Sequence, residues 1–259
     1  MAKNIGEYDE LRIKLRLIEL RDCGGCIEIG DGTGRVITSV GLEKEFASLP
    51  KRTDLRKMSD LQIERLANSV GAGKAKGSYK ADVIINGKGY SVKSHRSAPP
   101  AIVNHTPRWG WDRICKKLGI NITPLDNMVN KYFDLRSQGI ISEDIYNSDP
   151  LSPFAANKEY LRPILNYFLF EGTGAKDSDF PAEFVLDCED PLDTTTWEIN
   201  DKDQYLDKYW LDMKFSMRSK GFEAYPYSRK CDAWKIPLSK PWAKKIDGSY
   251  KGSLHVRVN

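Results

Sequence analysis

Ala81-Asp82-Val83-Ile84-Ile85-Asn86-Gly87-Lys88-Gly89-Tyr90-Ser91-Val92-Lys93 is the stretch on which the fold turns. Two apolar runs flank Asn86-Gly87, a pair that tolerates positive φ at both central positions of the tight turn whose twist matches paired strands. A two-residue turn pairs Ile85 with Lys88, so residues whose numbers sum to 173 face each other and Asp82 lies opposite Ser91. Side chains alternate along a strand. Lys93 therefore shares the face of Ser91, diagonal to Asp82, while Val83, Ile85, Tyr90 and Val92 project from the other face.

Upstream, Ser59-Asp60-Leu61-Gln62 has the form of a capping box, and Ile63, Leu66, Ala67 and Val70 follow at helical spacing until Gly71, which predicts a helix over 59–71. The glycine- and lysine-rich GAGKAKGSYK connects it to the hairpin. Earlier still, residues 10–40 alternate apolar and charged positions and break at Gly24-Gly25 and again at Gly30 to Gly34; short strands joined by turns are expected, with a helix over 8–22 as the competing pattern. Downstream, Thr123-Pro124 opens a helix carrying Leu125, Met128, Val129, Tyr132 and Phe133 on one face, and a third helical pattern covers about 157–170, disturbed by Pro163. From about residue 180 strand patterns take over: positions 209, 211, 213, 215 and 217 alternate with Asp212, Lys214, Ser216 and Arg218, and 254–258 repeat the alternation. The order implies an α+β fold, a mixed β-sheet flanked by helices with a strand-rich C-terminal third. A single domain over 1–259 is expected, its core at about 40–140 and further elements at about 175–259.

The chain has 259 residues, 40% of them hydrophobic, enough for a substantial core. Its 40 basic and 36 acidic residues give a formal charge of only +4, so a polyanion partner has to be sought in local charge rather than in the total. No apolar run reaches the roughly 20 residues of a membrane span, and MAKNIGEYDE lacks the apolar core of a secretory signal; a cytoplasmic site of action without membrane contact is expected. Five dispersed cysteines argue for reduced thiols, and Cys23-Gly24-Gly25-Cys26, with no second half-site, reads as a Gly-Gly turn between two strands.

An aspartate and a lysine on one face of a hairpin suit phosphodiester hydrolysis. The carboxylate can hold Mg²⁺ against a phosphate oxygen, and the ammonium can orient the attacking water or stabilise developing charge. The hairpin with Asp82 on one strand and Ser91-Val92-Lys93 on the next resembles the catalytic centre of PD-(D/E)xK nucleases. Ser91 stands where that pattern has its middle acid. Some members of the class take the missing carboxylate from elsewhere, a glutamate on the preceding helix recurring among them; the resemblance therefore nominates Glu64, with Glu43 and Glu45 behind it and Asp112 as a weaker choice. Tyr90 to Ser94, Ser97-Ala98-Pro99-Pro100 and Asn104 further resemble the segment after the catalytic lysine in type II restriction endonucleases of the HpaII kind. The likeness spans about 25 residues. It implies Asp82 and Glu64 on Mg²⁺, Lys93 at the water, Ser91 as a supporting hydrogen bond, double-stranded DNA as substrate, a cognate methyltransferase in the same system, and a homodimer on a palindromic site.

DNA would be met by residues 94–117, where Ser94, Arg96, Asn104, Arg108 and Arg113 accompany Trp109 and Trp111, the tryptophans reading as core rather than as base contacts. A second basic cluster, Arg218, Lys220, Arg229, Lys230 and Lys235, continues through Lys244 and Lys245 to His255 and Arg257. The acidic stretch Asp177 to Asp203 lacks the order of a calcium loop and reads as a solvated loop or as a device that repels nonspecific DNA. Two further activities are compatible with these residues: a structure-specific or repair nuclease with the same core, and a non-catalytic DNA-binding protein in which the hairpin is only scaffold.

Overall fold

The computed structural model describes residues 4–29, 33–96, 99–222 and 242–258. It shows an α+β chain with two units, one formed by Met1–Pro100, Phe170–Gly172 and Asp177–Tyr205, the other by Ala101–Leu169, Thr173–Lys176 and Leu206–Asn259.

The first unit begins with a helix, α1 (Ile5–Asp22), where the alternation over 10–22 had pointed to strands. Two causes override that pattern. Asn4 and Glu7 form a reciprocal cap, the Glu7 N–H donating to Asn4 Oδ1 at 3.0 Å and the Asn4 N–H to Glu7 Oε2 at 3.1 Å. The apolar residues Leu11, Ile13, Leu15, Leu17 and Ile18 are all buried, and they lie around the helix rather than along one stripe, which is the signature of a helix covered on several sides. The Gly24-Gly25 turn thus joins a helix to a strand. Strands do form beyond it, β1 (Cys26–Ile29) and β2 (Thr33–Val36), as an antiparallel pair. Cys23 and Cys26 are exposed free thiols.

The main sheet of this unit adds β3 (Val40–Gly41), β4 (Val83–Ile85), β5 (Lys88–Ser94), β8 (Phe184–Cys188) and β9 (Trp197–Asn200) in the order β3-β4-β5-β8-β9. It is mixed: β5 and β8 run parallel, and the other neighbours are antiparallel. Helix α2 (Asp60–Ser69) follows the expected capping box, with the Ser59 N–H on Gln62 Oε1 at 2.8 Å. Val83, Ile85, Tyr90, Leu186, Cys188 and Ile199 bury one face of the sheet in a core with α1 and with Ile63 and Ala67 of α2. The segment 177–203 is therefore not a solvated loop. Phe184-Val185-Leu186 and Ile199 supply enough apolar surface to pull two strands out of it, and Asp187 goes inside with them. The sheet likewise draws on two strands after residue 140, β8 and β9, and its core is shared with α1, before residue 40.

The second unit contains β6 (Ala101–Pro107), α3 (Arg108–Leu118), α4 (Thr123–Ser137), β7 (Asp144–Tyr146), α5 (Lys158–Asn166), β10 (Met213–Arg218), the short pair β11 (Lys244–Ile246) and β12 (Ser249–Lys251), and β13 (Ser253–Val258). Its four-stranded antiparallel sheet has the order β6-β13-β10-β7. All five apolar residues expected on one face of α4 are buried. α5 carries Pro163 and passes into a π-helical turn at Tyr167–Glu171. A further helix, α6 (Lys202–Tyr209), replaces the start of the strand expected from position 209. Asp201 and Gln204 cap it, with the Gln204 N–H on Asp201 Oδ1 at 2.9 Å and the Asp201 N–H on Gln204 Oε1 at 3.1 Å, and strand geometry begins only at Met213. No helix of the described residues is long and apolar enough to cross a membrane.

Candidate active site

The hairpin has the expected register, Val83 pairing with Tyr90, Ile84 with Gly89 and Ile85 with Lys88. Asn86 and Gly87 both have positive φ, +50° and +80°. Asn86 also ties the turn to the chain before it: its Oδ1 accepts from the Thr38 and Ser39 N–H groups at 2.8 and 3.1 Å, and its Nδ2 donates to the Val36 carbonyl at 2.7 Å. The turn is thus an anchored part of the sheet.

The ladder ends at Val83, one residue short of the expected Asp82–Ser91 pair. Asp82 instead donates its backbone N–H to the Tyr90 carbonyl at 2.8 Å, and its carboxylate accepts the Val92 N–H at 2.7 Å. This clamp spans the two strands and holds one carboxylate oxygen in place. The other has no hydrogen-bond partner among the described residues. Lys93 lies one residue beyond Val92 and is partly buried. Ser91 is 3% exposed, and its hydroxyl has no hydrogen-bond partner among the described residues.

Two residues that the sequence reading did not single out complete the cluster. Glu10, on α1, feels the negative charge of Asp82: burial first, and then that charge, raise its carboxyl above the ordinary range. Lys14, one helical turn on and fully buried, opposes this by donating to Glu10 Oε1 at 2.5 Å, and it also bonds the Gly73 carbonyl at 2.9 Å. Lys80 precedes β4, and burial, followed by the positive charge of Lys93, pushes its pKa down to about 8 against the pull of Asp82. Neither the Lys80 nor the Lys93 ammonium has a hydrogen-bond or ion-pair partner among the described residues. Asp82 thus feels Glu10 on one side and Lys80 on the other, and Lys80 in turn feels Lys93.

Glu64 is half-buried on α2, one position past the core residue Ile63. Glu43 bonds Lys76 and the Tyr79 hydroxyl, both at 2.6 Å, Glu45 lies 3.3 Å from Arg21, and Asp112 pairs with Lys116 at 2.6 Å. Among the described residues no three His, Cys, Asp or Glu side chains group so as to hold a metal by themselves. Glu10 and Asp82 nevertheless fit a hard divalent cation: they are oxygen donors whose mutual repulsion a cation relieves, and Mg²⁺ commonly takes only one or two carboxylates beside water and phosphate.

The residues expected at DNA are largely engaged within the protein. Ser94 and Arg96 both bond Asp9, a fully buried acid on α1, at 2.7 and 2.8 Å. Arg108 makes a two-pronged contact with Asp126 at 2.7 and 2.6 Å, and Trp242 Nε1 adds a third bond to the same carboxylate at 2.8 Å. Arg113 bonds the Tyr167 hydroxyl at 3.0 Å. Arg218 contacts Glu143 and Asp144, and Arg257 lies 3.9 Å from Asp144. Asn104 is exposed on β6. Trp111 is fully buried and bonds the Thr106 carbonyl at 3.1 Å, in keeping with its reading as core. Arg229, Lys230 and Lys235 lie outside the described residues. No family model, characterised protein or solved structure matches the chain.

Proposed function

We propose that the chain is a Mg²⁺-dependent endonuclease of double-stranded DNA, in the sequence-specific form to which the segment around Lys93 bears its resemblance. The observation that carries the reading is that Asp82 interacts electrostatically with a second acid, Glu10, and with Lys80, which itself feels Lys93, while neither lysine has an ion-pair partner among the described residues. A surface ion pair has no use for the second lysine; a phosphodiester, with its fixed negative charge, does. The acid recruited from a helix also answers the serine at position 91, with Glu10 preferred to Glu64 because its carboxyl feels the charge of Asp82.

In this reading Asp82 and Glu10 would hold the cation, which supplies a polarised phosphate and a water of lowered pKa. Asp82 stays oriented through its bond to the Val92 N–H. Lys93 positions the water and faces the charge that develops on the phosphate, and Lys80 binds a non-bridging phosphate oxygen. Lys14 favours the ionised form of Glu10, because an ammonium at 2.5 Å offsets part of the burial that favours the protonated acid. A host methyltransferase and a homodimer on a two-fold site belong to this proposal.

The test is digestion of unmethylated phage DNA with Mg²⁺ by the wild type and by Asp82→Asn, Lys93→Ala, Glu10→Gln and Glu64→Ala. Discrete fragments lost in the first three and kept in Glu64→Ala are expected. A smear from the wild type points to a structure-specific or repair nuclease. Binding without cleavage at any metal concentration sinks the catalytic reading, and leaves the DNA-binding protein that Ser91, in place of an acid, favours.

A further inference from the structure

Beside the cluster lies a second pair of titratable groups. In the parallel pairing of β5 with β8, Lys93 is the register partner of Asp187, so their side chains leave the same face of the sheet. His95 follows two residues after Lys93, its N–H bonded to the Cys188 carbonyl at 3.1 Å, and its Nε2 lies 2.7 Å from Asp187 Oδ1. The Asp187 side chain is 3% exposed, whereas that of His95 is 24% exposed. The carboxylate is sealed in the sheet and the imidazole is open to an incoming molecule.

We propose that His95 is a general acid for the phosphodiester cleavage described above and that Asp187 is its positioning residue. The inference rests on the nuclease reading. The Asp187 carboxylate, in close contact with the Nε2 side of the ring, favours an imidazolium whose Nδ1–H is the proton to be given. In the step, the oxygen of water bonds to phosphorus and releases a proton to solvent. The bond from phosphorus to the bridging oxygen breaks with its electron pair on that oxygen, and the Nδ1 proton of His95 neutralises it. Solvent then reprotonates the ring. The charged and titratable groups around His95 are Lys93 on its own strand, Asp187 and Cys188 on β8, Asp190 beyond that strand, Glu198 as the register partner of Asp187 on β9, and the Arg96–Asp9 pair reaching from α1. Lys93 disfavours the imidazolium, and the acids favour it.

A substrate with sulfur at the bridging position of the scissile bond separates this role from a structural one, because a thiolate leaves without being protonated. His95→Gln is expected to slow cleavage of ordinary DNA about 100-fold and to cut the sulfur substrate at close to the wild-type rate. Asp187→Asn should move the alkaline limb of the rate profile to lower pH, since the ring loses the charge that holds its proton. The wild type alone gives a check that needs no variant: its alkaline limb should be present with oxygen and absent with sulfur. Equal slowing of both substrates by His95→Gln, or an alkaline limb indifferent to sulfur, overturns the assignment and leaves the nuclease reading standing. A wild type that cleaves neither substrate overturns both.

Discussion

Replacing Lys80 with methionine sets stability against function in one experiment. The Lys80 ammonium is held at a pKa of about 8, against an ordinary value of 10.5, by burial and by Lys93. Between those two values the unfolded chain binds more protons than the folded one, so stability rises with pH across that window. The same difference opposes folding by about 3 kcal/mol at pH 7 and by about 2 kcal/mol at pH 9. Methionine keeps most of the aliphatic stem and carries no charge. Lys80→Met should therefore melt above the wild type at pH 7, by about 5 °C if roughly half of the gain is realised. It should also lose the wild type's increase in stability between pH 7 and 9. Cleavage should fall at least about tenfold, since a charge placed on a phosphate in a shielded site stabilises the transition state by more than about 1.4 kcal/mol. Thermal unfolding at several pH values and a plasmid nicking assay measure both effects. A variant that melts at or below the wild type at pH 7, or one that retains the wild-type pH slope, refutes the claim that Lys80 is a buried, unpaired cation.

Lys14→Met leaves Glu10 buried without its cation and the Gly73 carbonyl without its donor, so a loss of about 3 kcal/mol is expected in urea unfolding. Asn86→Ala should cost about 2 kcal/mol, because it strains a residue at φ +50° and removes the side-chain bonds to Val36, Thr38 and Ser39, whereas Asn86→Gly removes only the bonds and should cost about half as much in the same assay. His255 is buried against His105, their rings stacked at 4.3 Å, and burial, aided by His105 and Arg257, lowers its pKa to about 4. Its folded value lies below the unfolded 6.5, so stability should be lost as pH falls from 6.5 towards 4, and His255→Gln should flatten that acid limb in fluorescence-monitored unfolding; an unchanged limb would show that the loss comes from other groups.

The hairpin, α2 and the apolar face of α4 were legible because each is fixed by local chemistry. A turn that needs positive φ calls for Asn-Gly, and a cap calls for Ser59 and Gln62 three residues apart. The strands β8 and β9 were hidden inside an acidic segment. Their stability comes from pairing with β5 and with each other and from a buried face shared with α1, and none of those partners is near them in sequence. The same holds for the internal partners of Arg108 and Arg218. A basic residue in a loop reads as a free charge until the fold brings Asp126 or Asp144 to it.

The second acid, Glu10, was missed for a different reason. Over a short span, Leu11, Ile13, Leu15 and Leu17 alternate with charged residues as a half-buried strand would, and that pattern set aside the helix in which Glu10 and Lys14 stand one turn apart. Once the segment is a helix, its apolar residues occupy more of the circumference than one stripe, so the helix must be covered on several sides. Charges on such a helix cannot all reach water, and those that do not need partners from the chain around them. Asp9 finds Ser94 and Arg96, and Lys14 finds Glu10 and the Gly73 carbonyl. Glu10 also meets a like charge, that of Asp82, which together with burial raises its carboxyl while Lys14 opposes both. That repulsion, which Lys14 offsets only in part, is what the proposed cation would relieve.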